Sequence, residues 1–159
     1  MKRETLFLKI AIFLIGAPIL ALCLFGLPSL AINASQSGLE WRNLLYGILA
    51  VMYISAIPFF AALFQAFKLL NYIDHNNAFS EMAVRALRTI RNCAAAIMLL
   101  YTAAMPLFYF AAEIDDAPGI ILIGLIIIFG SVVIAVFAAV LQKLLKNAID
   151  IKSENDLTV

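Results

Sequence analysis

The placement of charge constrains this chain more than any other feature. Four stretches carry no Asp, Glu, Lys, Arg or His: Ile10–Leu39 (30 residues), Asn43–Phe67 (25), Asn92–Ala112 (21) and Ala117–Gln142 (26). A helix rising about 1.5 Å per residue crosses a hydrocarbon layer ~30 Å thick in roughly 20 residues, so each gap can span a bilayer. A core helix of a soluble protein would carry a polar stripe, and these segments carry none. Lipid offers no partner to backbone N–H and C=O groups, so the spans should be helices, and the alternating polarity of a membrane β-barrel is absent. The expectation is an all-α, integral-membrane four-helix bundle in one domain, residues 1–159. Its spans are placed near 8–30, 44–66, 92–112 and 119–142.

Composition agrees and narrows the function. The chain is 65% hydrophobic and 13% charged, against about 45–50% and 25% in soluble domains. Its mean hydropathy is +1.02. A net charge of +1 gives no basic field for direct nucleic-acid binding. Two cysteines, Cys23 and Cys93, are too few for a disulfide framework or a zinc site. They are also expected in opposite leaflets. No Asp, Glu, Lys, Arg or His falls at mid-depth in the spans, which argues against ion-coupled transport. Intramembrane proteolysis would need paired aspartates, a Ser–His pair or a metal motif, and none is present. His75, beside Asp74, reads as a turn residue, with pH response as the alternative. The chain is therefore expected not to be an enzyme and to use no cofactor or metal.

Orientation follows from the basic residues. Ten of the eleven Lys and Arg lie before the first span, between the second and third, or after the fourth, and Arg42 alone lies elsewhere. The positive-inside bias places both termini, the loop 67–91 and the tail 143–159 in the cytoplasm. Lys2 and Arg3 before an apolar run also resemble a signal peptide, with Ser29-Leu30-Ala31 as a cleavage pattern. The run exceeds a typical signal core, so retention as a span is expected, and cleavage would leave three spans in the same orientation.

The cytoplasmic segments are amphipathic. Ser80 is placed to cap a helix, with Glu81 favoured by the dipole and Phe79 with Val84 at staple positions. Phe79, Met82, Ala83, Ala86, Leu87 and Ile90 follow a helical period. Leu141, Leu144, Leu145, Ala148 and Ile149 do so beyond the fourth span. The third and fourth helices are thus expected to extend into the cytoplasm, with Leu87 packed on Leu144 or Leu145 or near Phe67. Arg85, Arg88 and Arg91 read as anchors to anionic lipid, and Arg85 and Arg88 also as a docking surface. The end, with Leu157 and Val159, reads as a frayed terminus or a short recognition tail. In the spans, Tyr53, Ser55, Tyr101, Thr102, Tyr109 and Ser131 are expected to bond between helices. Pro58 and Pro106 offer kinks or hinges. Ala17 with Ala21, Ala94 to Ala96, Ala103 with Ala104 and Ala135 with Ala139 offer close packing, within the monomer first, with a homo-oligomer left open.

Lys9-Ile10-Ala11, Ala66-Phe67-Lys68-Leu69-Leu70 with Ile73-Asp74, Ala78-Phe79-Ser80 with Val84, Ala86-Leu87 and Ile90, and Glu154-Asn155-Asp156-Leu157-Thr158-Val159 resemble the YoaS-like bacterial family of small four-span membrane proteins of unknown function. The resemblance covers nearly the whole chain and brings no catalytic residues. It implies the bacterial cytoplasmic membrane and, because such proteins resemble those encoded beside a very small helix-turn-helix regulator, a membrane-bound partner that binds or sequesters such a regulator. Arg85, Arg88, Leu157 and Val159 are its candidate contacts. The alternative is a small transporter or accessory subunit handling an apolar solute or lipid, which a lipid-sized cleft between the helices would favour. A third reading is an immunity-type membrane protein.

Overall fold

The computed structural model describes residues 2–36, 38–114 and 116–158, and the side chains of these except at 2, 34, 39–41 and 156–158. The described residues are helical apart from short connections. The first span comprises α1 (Lys2–Ala21), a π-helical segment (Leu22–Gly26) and α2 (Leu27–Ser35). The others are α3 (Leu39–Asp74), α4 (Glu81–Ile114) and α5 (Gly119–Thr158). All four are long and apolar enough to cross a membrane. The expected spans lie inside these helices. Most of 67–91 is helix, because α4 starts at Glu81 as expected and α3 also runs past its expected span to Asp74.

Local chemistry explains those boundaries. The α3 terminus is a Schellman motif: Asn77 N–H donates to Tyr72 O at 2.7 Å and Asn76 N–H to Ile73 O at 3.2 Å. Asn76 takes φ 61°, the left-handed conformation that Asn tolerates better than most residues. Ser80 caps α4 as expected, its Oγ accepting Ala83 N–H at 3.3 Å. The staple is not closed from the Phe79 side, since Phe79 stays 58% exposed while Val84 is buried. The π segment lies just before Pro28. Pro28 cannot donate to Leu24 O and its ring crowds that carbonyl, and a wider turn relieves both. Leu27 N–H accordingly donates to Leu22 O. Helices α3 and α4 continue through Pro58 and Pro106 without interruption.

The helices pack in chain order. The first span packs on α3, α3 on α4 and α4 on α5, and among the described residues the first span shares no extended interface with α4 or α5. Gly16 and Gly47 mark close approaches: a Cβ there would lie 3.2 Å from Leu63 and 3.3 Å from Leu107 respectively. Of the expected small-residue contacts, Ala94 and Ala104 are buried, but Ala17, Ala21 and Ala103 are exposed. Glycine at these two positions admits a leucine side chain of the neighbouring helix, while these alanines point outwards.

Two seams of period 3.5 hold α4 to its neighbours. On α4, positions 83, 87, 90, 94, 97, 101, 104, 108 and 111 are buried or half-buried, and on α5 so are 124, 128, 131, 135, 138, 142, 145 and 149. This is the heptad spacing of helices packed with a left-handed supercoil. It keeps most of the stripes expected from apolarity, with Ala83, Ala86, Leu87 and Ile90 on α4 and Leu145, Ala148 and Ile149 on α5 buried or half-buried, and corrects their edges. Met82 is 46% exposed, and Leu141 and Leu144 are 49% and 59% exposed. The α5 seam instead passes through polar Gln142, whose Oε1 accepts from the Arg91 guanidinium at 3.2 Å. Leu87 is buried as expected. Leu145, not Leu144, lies on the facing seam.

Candidate intramembrane site

Between the four spans lies a cavity of about 460 Å³ to which every span contributes wall. Leu22, Cys23 and Leu27 come from the first span, at and beside its π segment. From α3 come Ser55 and Phe59, from α4 Ala94 and Tyr101, and from α5 Gly130 and Ser131. The remaining wall is aliphatic or aromatic, and no charged side chain lines it. Small residues at the centre make the room: a Cβ built on Gly130 meets nothing within 4 Å. Because the first span and α5 do not pack together, the chamber lacks a helix–helix seam on that side.

Besides the Cys23 thiol, the polar side chains of the wall are hydroxyls, and all three hydroxyls are engaged. Ser55 and Tyr101 bond across α3 and α4 at 3.0 Å. Ser55 Oγ also donates to Met52 O at 2.8 Å. Ser131 Oγ donates to Ile127 O at 2.8 Å, within its own helix. The Tyr101 ring stacks on Phe108 with centroids 6.0 Å apart, which fixes where its hydroxyl points. Of the six polar span residues singled out by sequence, Ser55 and Tyr101 bond between helices as expected, as does Tyr53, whose hydroxyl donates to Cys23 O at 2.9 Å. Thr102 and Ser131 instead bond one turn back within their own helices. A signal was present: Ser55, Tyr101 and Ser131 each fall at or beside the midpoint of their expected span, hence at one depth.

A second polar cluster ties the first span to α3. Lys9 Nζ donates to Asp74 Oδ2 at 2.8 Å, and Thr5, buried, donates to Asp74 Oδ1. The Lys9 bond first, and the Thr5 bond second, hold the Asp74 carboxyl below its ordinary range. Lys9 also sits 5.4 Å above the Phe67 ring, and Phe13 meets Phe67 edge-on. Asp74 is the last residue of α3. Its pairing with Lys9, 65 positions away, has no local signature.

Arg85 and Arg88 are exposed on α4, and neither lines the cavity. The Leu157 side chain and Val159 lie outside the described residues. His75 is the exposed C-cap of α3. Cys23 and Cys93 are both unbridged. Among the described residues no three His, Cys, Asp or Glu side chains come together as a metal would require.

Four apolar helices around an uncharged chamber define a small multi-pass membrane protein of helical-bundle type. Residues 29–159 match the family described as "Protein of unknown function (DUF2975)", and the chain belongs to it. It is also 61% identical over 158 residues, 99% of each chain, to the "Uncharacterized membrane protein YoaS" of Bacillus subtilis (strain 168). No solved structure matches.

Proposed function

We propose that this protein holds an apolar molecule within the bacterial cytoplasmic membrane, as a small transporter or an accessory subunit for an apolar solute or lipid, and acts by binding rather than catalysis. The observation that carries this is the cavity: its volume of about 460 Å³ lies in the range of ~300–1,000 Å³ typical of small-molecule sites, and its wall is uncharged. Gly130→Phe is the test, because the added ring enters open space. Wild-type protein purified in mild detergent should carry an extractable apolar molecule, and Gly130→Phe should lose most of it. Leu125→Phe, which adds bulk on an exposed face away from the cavity, should retain it. An unchanged complement in Gly130→Phe would overturn the reading.

A second reading, the sequestration of a small cytoplasmic helix-turn-helix regulator, is supported by the helical extensions. Helix α5 runs 40 residues to Thr158, roughly twice what the hydrocarbon needs. Arg85 and Arg88 stand exposed on the neighbouring extension of α4. In this reading both termini and the 75–80 turn are cytoplasmic, and Leu157 and Val159 complete the contact. Either reading works with one copy of the chain.

A further inference from the structure

We infer that the cavity selects a neutral, single-chain lipid alcohol: an apolar molecule that brings its own hydrogen-bond donor. The inference rests on the cavity reading above and follows from where the protons of the wall are spent. A hydroxyl has one proton and two lone pairs. Ser55 gives its proton to Met52 O, so the Ser55–Tyr101 contact at 3.0 Å is a bond only if Tyr101 donates. The relay therefore runs from Tyr101 to Ser55 to the backbone. Ser131 has likewise given its proton to Ile127 O. All three hydroxyls on the wall keep acceptor lone pairs and have no proton left.

An occupant meets hydroxyls that accept and do not donate, the Cys23 thiol being only a weak donor. A ketone, an ester or an ether would set its oxygen against lone pairs, and a buried acceptor without a donor loses the bonds it had elsewhere. A carboxylate or an ammonium would be buried without a counter-charge. A hydroxyl on a hydrocarbon chain meets both conditions, its proton going to Tyr101, Ser55 or Ser131 and its chain lying against the aliphatic wall. A volume of about 460 Å³ suits one chain and not a two-chain phospholipid.

The experiment measures saturable binding of tritiated hexadecanol to the full chain in detergent micelles, with displacement by unlabelled hexadecanol or by hexadecyl methyl ether. The two competitors share a chain and differ in the donor. Hexadecanol should displace at about three- to tenfold lower concentration, the ratio that one net hydrogen bond supplies. Ser55→Ala frees the Tyr101 proton for the ether oxygen, so the preference should narrow, and Ser55→Thr, which keeps the hydroxyl, should restore it. Gly130→Phe should abolish binding of both. If the ether competes as well as the alcohol in wild type, or the preference is undiminished in Ser55→Ala, the inference is overturned while loss of binding in Gly130→Phe keeps the cavity reading. If hexadecanol does not bind although the purified protein carries another apolar molecule, the inference alone falls. If Gly130→Phe changes nothing, both fall.

Discussion

At the scale of single residues, an electrostatic tie is centred on Asp74, which accepts from Lys9 and Thr5. Its carboxyl is held below the ordinary value of 3.8, first by the Lys9 hydrogen bond and then by that of Thr5. A group with a depressed folded-state pKa stabilises the fold above its ordinary value, and that contribution is lost as pH falls through the folded value. The tie should therefore be fully present at neutral pH and down to about pH 4, and weaken only below that. Asp74→Asn should unfold at lower temperature than wild type at neutral pH, and the two curves should converge in acid. Thermal unfolding in detergent across pH measures this, and a constant gap down to strong acid would refute it. Sequence reading handled the neighbouring residues better. Asn76 and Ser80 announce their turn and cap through side-chain chemistry that acts within a few positions. Lys9 and Asp74 meet only because α3 folds back on the first span, and no local pattern records that.

At the scale of elements, the four spans were legible because lipid leaves hydrophobicity nearly free of competing demands. The packing faces were less so: within a span apolarity does not mark the face that meets protein, and beyond it a polar pair can shift the seam off the apolar stripe. On α5 the stripe of Leu141, Leu144 and Leu145 is half right, because the seam passes Gln142 and Leu145 and leaves Leu141 and Leu144 exposed. The polar residue is on the interface because Arg91 meets it there. Burial then predicts a contrast between two leucines. Leu87→Ala should cost about 2–5 kcal/mol, the range for truncating a buried leucine, whereas Leu144→Ala should stay within about 0.5 kcal/mol, as for an exposed side chain. Denaturation in detergent micelles compares them, and equal losses would refute the seam. The cavity was the least legible element. Its polar residues sit at matching depths, but which helices face each other across it depends on pairing that one sequence does not encode locally.

At the scale of the whole molecule, the helix order puts both ends of the chain and the turn at 75–80 on one side, and the connections near 36–38 and 115–118 on the other. The basic residues predict that the first side is cytoplasmic. Reporter fusions after Asn76 and after Val159 should read inside, and a fusion within 35–38 outside. Agreement between the Asn76 fusion and the 35–38 fusion would refute four spans. The order of packing has a further consequence for how such a chain is made. Every span after the first docks on the one synthesised just before it. Each of these enters the bilayer with its partner already in place, and only the first span waits for the next. The loops to be closed are a few residues long, so the entropic toll of assembly is small. Biogenesis then reduces to adding one hairpin partner at a time, in the sequence in which the ribosome delivers them.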